Sequence, residues 1–273
     1  MPQIVRATVL PEEITELRSV STENGGTALT TTLGLISTGL AGWGADYLSI
    51  TPRNFSQDCK AARVLLNPYL TIFATWNAGL TTVDISDEMQ DGDTTDYVLD
   101  DFPLTATGYI YVGAKVPFSG VKVTLGTGGN DDATVLTVKY WKSGGWTDIS
   151  DTDGTKVGGD SMKQSGSVTW TVPGAWEKAS LSAIGETLPT SARNYATPLY
   201  WTRWEWSAAL DADCDVAAMQ AINRSTYYAE LLAGQTLEAK MSDREIASVQ
   251  ALTSAGTANL IVNVGTLPGS EFE

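Results

Sequence analysis

Five short stretches in the middle of the chain alternate apolar and polar side chains, and turns rich in glycine and aspartate separate them. The stretches are residues 108–114 (GYIYVGA), 120–126 (GVKVTLG), 133–141 (ATVLTVKYW), 166–172 (GSVTWTV) and 199–207 (LYWTRWEWS). A period of two places successive side chains on opposite faces of a β-strand. The pattern predicts a mainly β fold in which residues 101–210 form an antiparallel β-sandwich or jelly-roll-like module.

The rest of the chain divides into three further segments. Residues 1–45 are rich in Thr, Gly and Ser with scattered apolar side chains, which predicts an extended N-terminal arm; packing on another protein and packing on the body of the chain are both open. Residues 46–100 contain the strand-like runs YLSIT, ARVLLN and YLTIFATW. We expect this β-rich segment either to share the sandwich or to form a small first domain with the C-terminus. Residues 211–273 predict a smaller α+β or β part that includes the strand TANLIVNVG.

The stretch YWTRWEWSAAL, residues 200–210, contains three tryptophans. A strand would place Trp204 and Trp206 on one face and Trp201 on the other, the latter together with Leu199, Arg203 and Glu205. Because a large aromatic side chain buries about 150–250 Å², we expect the first face to pack across the sheet onto Trp141 or Trp170. The second face is expected to carry ion pairs of Arg203 at the surface. A sugar-binding platform is the alternative interpretation, and it requires rings exposed side by side.

Charge and composition exclude several classes of partner. The chain carries 17 basic and 32 acidic residues, a net charge of −15. A surface that neutralises many phosphates is therefore not expected, and neither nucleic acid nor an anionic membrane is a predicted partner. No apolar run reaches the length of a membrane span. The N-terminus lacks the apolar stretch of a secretory signal, so we expect synthesis in the cytoplasm, with Cys59 and Cys214 as lone thiols.

The residue types also restrict the chemistry. The sequence contains no histidine, which excludes His-based catalytic triads and His-containing metal sites. A carboxylate pair could hydrolyse a glycosidic bond, and the glutamates considered for this are Glu177, Glu186, Glu205 and Glu230. Calcium could bind either of two acidic turns. One contains Asp148, Asp151, Asp153 and Gly154, and the other contains Asp91, Asp93 and Asp96. Because ordinary Asx turns explain both, we predict no metal, and we predict no catalytic residue or cofactor either.

The segment from Leu136 to Leu181, followed by PLYWTRWEWSAAL, resembles a β-rich module in structural proteins of tailed bacteriophages. The module has a strand pair rich in Tyr and Trp, a Gln-Ser-Gly-x-Val strand, a Val-Pro-x-x-Trp turn and a closing Tyr-Trp-x-Arg strand, in that order. The resemblance covers residues 105–210 and is carried by Tyr140, Trp141, Trp146, Gln164, Ser165, Gly166, Val168, Pro173, Trp176, Tyr200, Trp201 and Arg203. No catalytic residues accompany this family.

The resemblance implies a non-enzymatic virion protein that is assembled in the bacterial host cytoplasm. The leading hypothesis is a capsid decoration or cement protein that bridges shell subunits and binds the major capsid protein or other virion proteins, as a homo-oligomer. A neck, tail or baseplate component, or a protein that binds carbohydrate on the host surface, is the alternative. Apolar residues of the N-terminal arm are the predicted assembly interface: Leu29, Leu33, Leu35, Leu40 and Trp43.

Overall fold

The computed structural model describes residues 16–19, 26–32, 34–37, 47–75, 82–90, 108–186, 196–222, 229–240 and 246–266. The chain divides into two compact units. The first unit combines Met1–Asn67 with Ser225–Glu273, and the second is Pro68–Arg224.

The described residues form antiparallel strands and one short α-helix. In chain order the first strands are β1 (Glu16–Ser19), β2 (Thr27–Leu29), β3 (Gly34–Ser37), β4 (Tyr47–Arg53), β5 (Ala62–Pro68), β6 (Thr71–Thr75) and β7 (Thr82–Asp84). The middle elements are β8 (Tyr109–Ala114), β9 (Gly120–Leu125), β10 (Leu136–Lys142), β11 (Gly145–Asp148), β12 (Thr152–Asp153), β13 (Gly166–Thr169), β14 (Lys178–Ala179), α1 (Leu181–Ile184) and β15 (Leu199–Trp206). The last are β16 (Val216–Ile222), β17 (Ala229–Leu231), β18 (Leu237–Lys240), β19 (Ile246–Thr253) and β20 (Ala258–Thr266). A 3₁₀ turn spans Glu88–Gln90.

The first unit is a sandwich of two sheets that both combine strands from the two ends of the chain. One sheet has the order β1-β20-β4-β18, with β2 also paired to β20, and the other has the order β17-β5-β19-β3. The alternation along strand β20 explains why its sheet packs against another: Leu260, Val262 and Val264 are buried in the core, whereas the intervening residues are more exposed. Leu48 and Ile50 of β4 and Val64 of β5 fill the same core from the two sheets.

Part of the N-terminal segment lies within this sandwich. Strands β1 and β2 pair with β20, and β3 pairs with β19. Of the two arrangements that were open for residues 1–45, the described strands therefore adopt the intramolecular one. Residues 47–67 likewise pair with C-terminal strands, since β4 lies between β18 and β20.

The second unit is a larger sandwich. Its first sheet has the order β11-β10-β15-β8-β6-β7, with β14 also paired to β15, and we call it the seven-stranded sheet. The opposing sheet has the order β12-β13-β9-β16. Beyond the strands of residues 101–210, the unit includes β6 and β7 from the preceding segment and β16 from the following one.

The core between these sheets is rich in aromatic rings. Trp204 and Trp206 point into it and share it with Trp170, as predicted from the alternation along β15. Trp201 points to the opposite face of the seven-stranded sheet and joins Phe73, Tyr111, Leu181 and Leu199 in a smaller cluster. Of the two rings considered for this contact, Trp170 is the one in the core. Trp141 lies opposite Trp146 and next to the inward-facing Tyr140, so it belongs to the other face of β10.

The fold class predicted from the sequence is confirmed: the chain is mainly β, antiparallel and sandwich-like. The finer jelly-roll description stays a prediction. In the part of the chain that the structure describes, no helix is long and apolar enough to span a membrane.

Candidate functional site

The outer face of the seven-stranded sheet carries a group of charged and aromatic side chains centred on Arg203. We call it the Arg203 cluster, and its members are Tyr109, Tyr111, Trp146, Glu186, Arg203 and Glu205. It joins charged and aromatic side chains that are far apart in sequence, so it is the candidate functional site.

Three strands and the end of α1 bring the cluster together. Arg203 of β15 lies opposite Tyr111 of β8 on one side and opposite Lys139 of β10 on the other. Trp146 comes from β11, which pairs with β10 at the sheet edge. Glu186 follows Gly185, whose left-handed backbone (φ 86°) ends α1. The residues share a face because side chains two apart on a strand point the same way.

The Arg203 guanidinium packs between two aromatic rings. Its Cζ lies 4.9 Å from the centroid of Tyr109 and 5.0 Å from that of Trp146. Its Nε donates to Glu205 Oε1 at 2.7 Å, and its Nη1 lies 3.6 Å from Glu186 Oε1. A planar guanidinium is suited to such a combination of ring stacking and paired carboxylates.

The Glu186 carboxylate is surrounded by donors from different strands. Tyr111 donates its hydroxyl to Glu186 Oε2 at 2.8 Å, and Trp146 Nε1–H donates to Oε1 at 3.1 Å. Burial raises the pKa of the Tyr111 hydroxyl well above its usual value, and the negative charge of Glu186 raises this pKa further. Tyr111 therefore stays protonated and serves as a donor throughout the ordinary pH range.

The second carboxylate of the cluster, Glu205, is also engaged on both oxygens. Lys139 Nζ lies 2.6 Å from Glu205 Oε2, while Arg203 binds Oε1. Of the four glutamates considered for glycoside hydrolysis, the structure brings Glu186 and Glu205 to the same arginine. Glu177 is exposed elsewhere, and Glu230 belongs to the first unit, where it pairs with Arg63 at 2.9 Å. The two clustered carboxylates thus hold side chains in place, and a hydrolytic pair would have to give up these bonds.

The aromatic rings of this face do not form a flat platform. Trp141 and Trp146 are edge-to-face, with an interplanar angle of 74° and centroids 5.4 Å apart. The guanidinium of Arg203 occupies one face each of Trp146 and Tyr109. A sugar ring stacks on an open aromatic face, so this arrangement does not favour the carbohydrate-binding alternative.

The acidic turn at residues 148–154 is held together by hydrogen bonds to its own loop and to β10. Asp148 Oδ1 accepts from the Ser150 amide, Asp153 Oδ1 from the Thr155 amide, and Asp151 Oδ1 from the Val138 amide. Burial raises the pKa of Asp151 above its usual value. The bonds of Asp148 and Asp153, each to the amide two residues on, are Asx-type turn bonds. Among the described residues no group of three or more Asp, Glu, Cys or His side chains could hold a metal ion. The second acidic turn, with Asp91, Asp93 and Asp96, lies outside the described residues.

The predicted assembly residues occupy different positions. Leu29 is 2% exposed and belongs to the core of the first unit, so its side chain is not available at the surface in this structure. Leu35 lies in β3. Leu33, Leu40 and Trp43 lie outside the described residues. Cys59 and Cys214 are free and buried, and burial raises the pKa of Cys214 to about 12.

The structure also assigns contacts to the residues of the phage-like motif. Trp176 packs on Phe118, Tyr140 and Tyr200, and its Nε1–H donates to the Trp201 carbonyl at 3.1 Å. Ser165 Oγ accepts from the Leu125 amide at 2.9 Å, and Gln164 Nε2 donates to the Gly154 carbonyl at 3.2 Å. These contacts join strands and turns of the sandwich to one another.

No protein-family model, curated protein or solved structure matches the chain.

Sequence reasoning singled out Arg203, Glu186 and Glu205 but missed the two tyrosines that complete the cluster. The signal was present, because Tyr109 and Tyr111 are two apart in GYIYVGA and must share a face of the strand. The sequence could not show which strand lies beside these tyrosines and so brings Arg203 next to them. This arrangement depends on the pairing of β8 with β15 across about 90 residues of chain.

Proposed function

We propose that the protein is a non-enzymatic structural component of a tailed-phage virion, and that it acts as a capsid decoration protein bridging shell subunits. In this role the two β-sandwich units are rigid bodies, and their surfaces bind virion proteins. A neck, tail or baseplate position is the nearest alternative within the particle.

One observation carries the proposal: residues of the phage-like motif build the scaffold of the second unit. Trp176 and Tyr140 lie in its core, Trp201 is fully buried, and Val168 is a core residue of the opposing sheet. Gly166 is needed because a Cβ there would lie 2.2 Å from the Gly154 carbonyl oxygen. Because the residues of the motif pack the core and the strands, the motif specifies a stable folded unit. A stable unit of a kind found in particle proteins is suited to assembly into a virion.

The available chemistry agrees with a role without catalysis. The chain has no histidine, and both carboxylates of the Arg203 cluster are engaged by neighbouring side chains. A net charge of −15 favours solubility before assembly.

The experiment is to purify particles from the strain that carries the gene and to measure the number of copies of the chain per particle by quantitative mass spectrometry. A decoration protein is expected at hundreds of copies, because it follows the symmetry of the shell, whereas a tail or neck part is expected at about a dozen or fewer. A protein that is made in the infected cell but absent from the purified particles would contradict the proposal.

Deletion of residues 1–45 is not a clean test of attachment. It removes β1, β2 and β3 and takes Leu29 out of a core. We expect the deletion to destabilise the first unit, so loss of binding would not distinguish a missing contact from a misfolded unit. Substitution of exposed residues on folded protein, such as Leu232, which is 49% exposed, is the better probe of attachment.

A further inference from the structure

A short segment, Lys178–Glu186, crosses the outer face of the seven-stranded sheet, and we call it the strap. It consists of β14, which pairs with β15 over two residues, and the four-residue helix α1 followed by Gly185 and Glu186. A helix this short has no stability of its own, because nucleation costs more than one turn returns. Contacts with the sheet must therefore hold the strap in place.

The first of these contacts lie at the start of the strap. Leu181 is fully buried against Phe73, Tyr111, Leu199 and Trp201. The Ala179 carbonyl accepts a hydrogen bond from Trp201 Nε1–H at 2.8 Å. Of the other helical residues, Ser182 and Ala183 are exposed, and Ile184 is half-buried and packs against the same cluster.

The end of the strap is held by Glu186. Its carboxylate accepts hydrogen bonds from Tyr111 on β8 and from Trp146 on β11, and it lies within ion-pair distance of Arg203 on β15. One side chain of the strap thus joins three strands. Hydrogen bonds to a charged acceptor are stronger than neutral ones, particularly where the site is partly buried.

We propose that Glu186 is a latch, and that breaking its contacts lets the strap open as a local unit while the two sheets stay folded. Opening would uncover the aromatic face formed by Phe73, Tyr111 and Trp201, which the strap now covers. Local openings of this kind involve segments with few buried apolar contacts, and the strap buries only Leu181 completely. The inference does not depend on the virion role.

Hydrogen exchange of the full chain tests the latch. Four amides report the closed strap, because each donates within it: Ala183 and Ile184 to the Ser180 carbonyl, Gly185 to that of Ser182, and Glu186 to that of Leu181. In Glu186→Ala we expect these amides to exchange at least about tenfold faster, the factor that loss of a charge-assisted hydrogen bond gives. The amides of β10 should keep their wild-type rates, as should those of residues 202–206 in β15, which lie beyond the two residues that pair with the strap. Glu177→Ala is the matched control, since Glu177 is an exposed glutamate just before the strap.

Each outcome decides the proposal. Unchanged exchange in the strap would overturn it. Equal acceleration in the strap, in β10 and in residues 202–206 of β15 would also overturn it, because the residue would then support the whole sheet. Glu186→Gln keeps the size and one acceptor oxygen but loses the charge, so it replaces the alanine variant if that variant does not fold. The glutamine variant is expected to accelerate strap exchange alone, and equal rates in this variant and the wild type would contradict the latch.

Discussion

Gly113 lies directly opposite Trp201 in the seven-stranded sheet, and its replacement by alanine should destabilise the second unit. A Cβ at Gly113 would lie 2.6 Å from both Cε3 and Cζ3 of the Trp201 ring and 2.8 Å from Cδ2. Carbon atoms in contact are ordinarily about 3.5–4.0 Å apart, so ring and strand would have to separate by roughly 1 Å.

The Trp201 ring has little freedom to make that movement. It is fully buried, its Nε1–H donates to the Ala179 carbonyl, and Phe73 packs on it with centroids 6.1 Å apart. Overpacking at such a site costs about 2–3 kcal/mol. For a unit of this size the melting temperature should fall by about 5–10 °C.

Urea unfolding followed by tryptophan fluorescence measures the effect. Seven of the nine tryptophans lie between residues 141 and 206, so the signal reports the second unit. Gly174→Ala is the matched control, because a Cβ there meets no atom within 4 Å and its backbone is not left-handed. Its stability should change by less than about 0.5 kcal/mol. In the double variant Gly113→Ala/Trp201→Phe, the smaller ring should recover part of the loss. Equal stability of Gly113→Ala and Gly174→Ala would refute this account of the packing.

Three further predictions concern single residues. Trp176→Ala should destabilise the second unit by about 3–5 kcal/mol, because it empties a core position among Phe118, Tyr140 and Tyr200; a loss below about 1 kcal/mol in the same urea assay would contradict the packing. The pKa of Tyr111 is raised in the folded state, whereas in the unfolded state it has the ordinary value of 10.0. Above that pH the unfolded tyrosine ionises while the folded one stays protonated, so the contribution of Tyr111 to the free energy of unfolding is complete below pH 10.0 and is lost above it. The unfolding free energy should therefore fall by up to about 1.4 kcal/mol more per pH unit than in Tyr111→Phe between pH 10 and 11, and parallel pH profiles of the two proteins would disprove the shift. Glu230→Ala should change stability by less than about 1 kcal/mol, because both partners of the Arg63–Glu230 pair are exposed; a larger loss in a thermal melt would show that the pair is buried in solution.

The strands of the second unit could be predicted because their alternation is regular. The stretch 199–207 gave both the strand β15 and its two faces, since Trp204 and Trp206 enter the core while Trp201 lies opposite. Strand β20 was predicted in the same way from TANLIVNVG. Local periodicity is sufficient for such elements, because it depends only on which face is buried.

Sheet partners and the candidate site could not be predicted, because they depend on pairing between distant segments. Nothing in YLTIFATW indicates that β6 pairs with β8, so the division between residues 46–100 and 101–210 did not follow the units. The Arg203 cluster requires three strand pairings at once, which align β8, β15, β10 and β11. The position of a loop residue could not be predicted either. The sequence offered Glu186 as one of four candidate glutamates, and only the turn after α1 in the folded chain places it beside Arg203.

The proposed role makes this chain a rigid β building block of a phage particle. Electron cryomicroscopy of intact particles from the strain that carries the gene is the decisive test. We expect density for two β-sandwich bodies, repeated over the shell, with the seven-stranded sheet and its buried tryptophans intact. Intact, completely assembled particles that show no such density at the shell, neck or tail would contradict the proposed role.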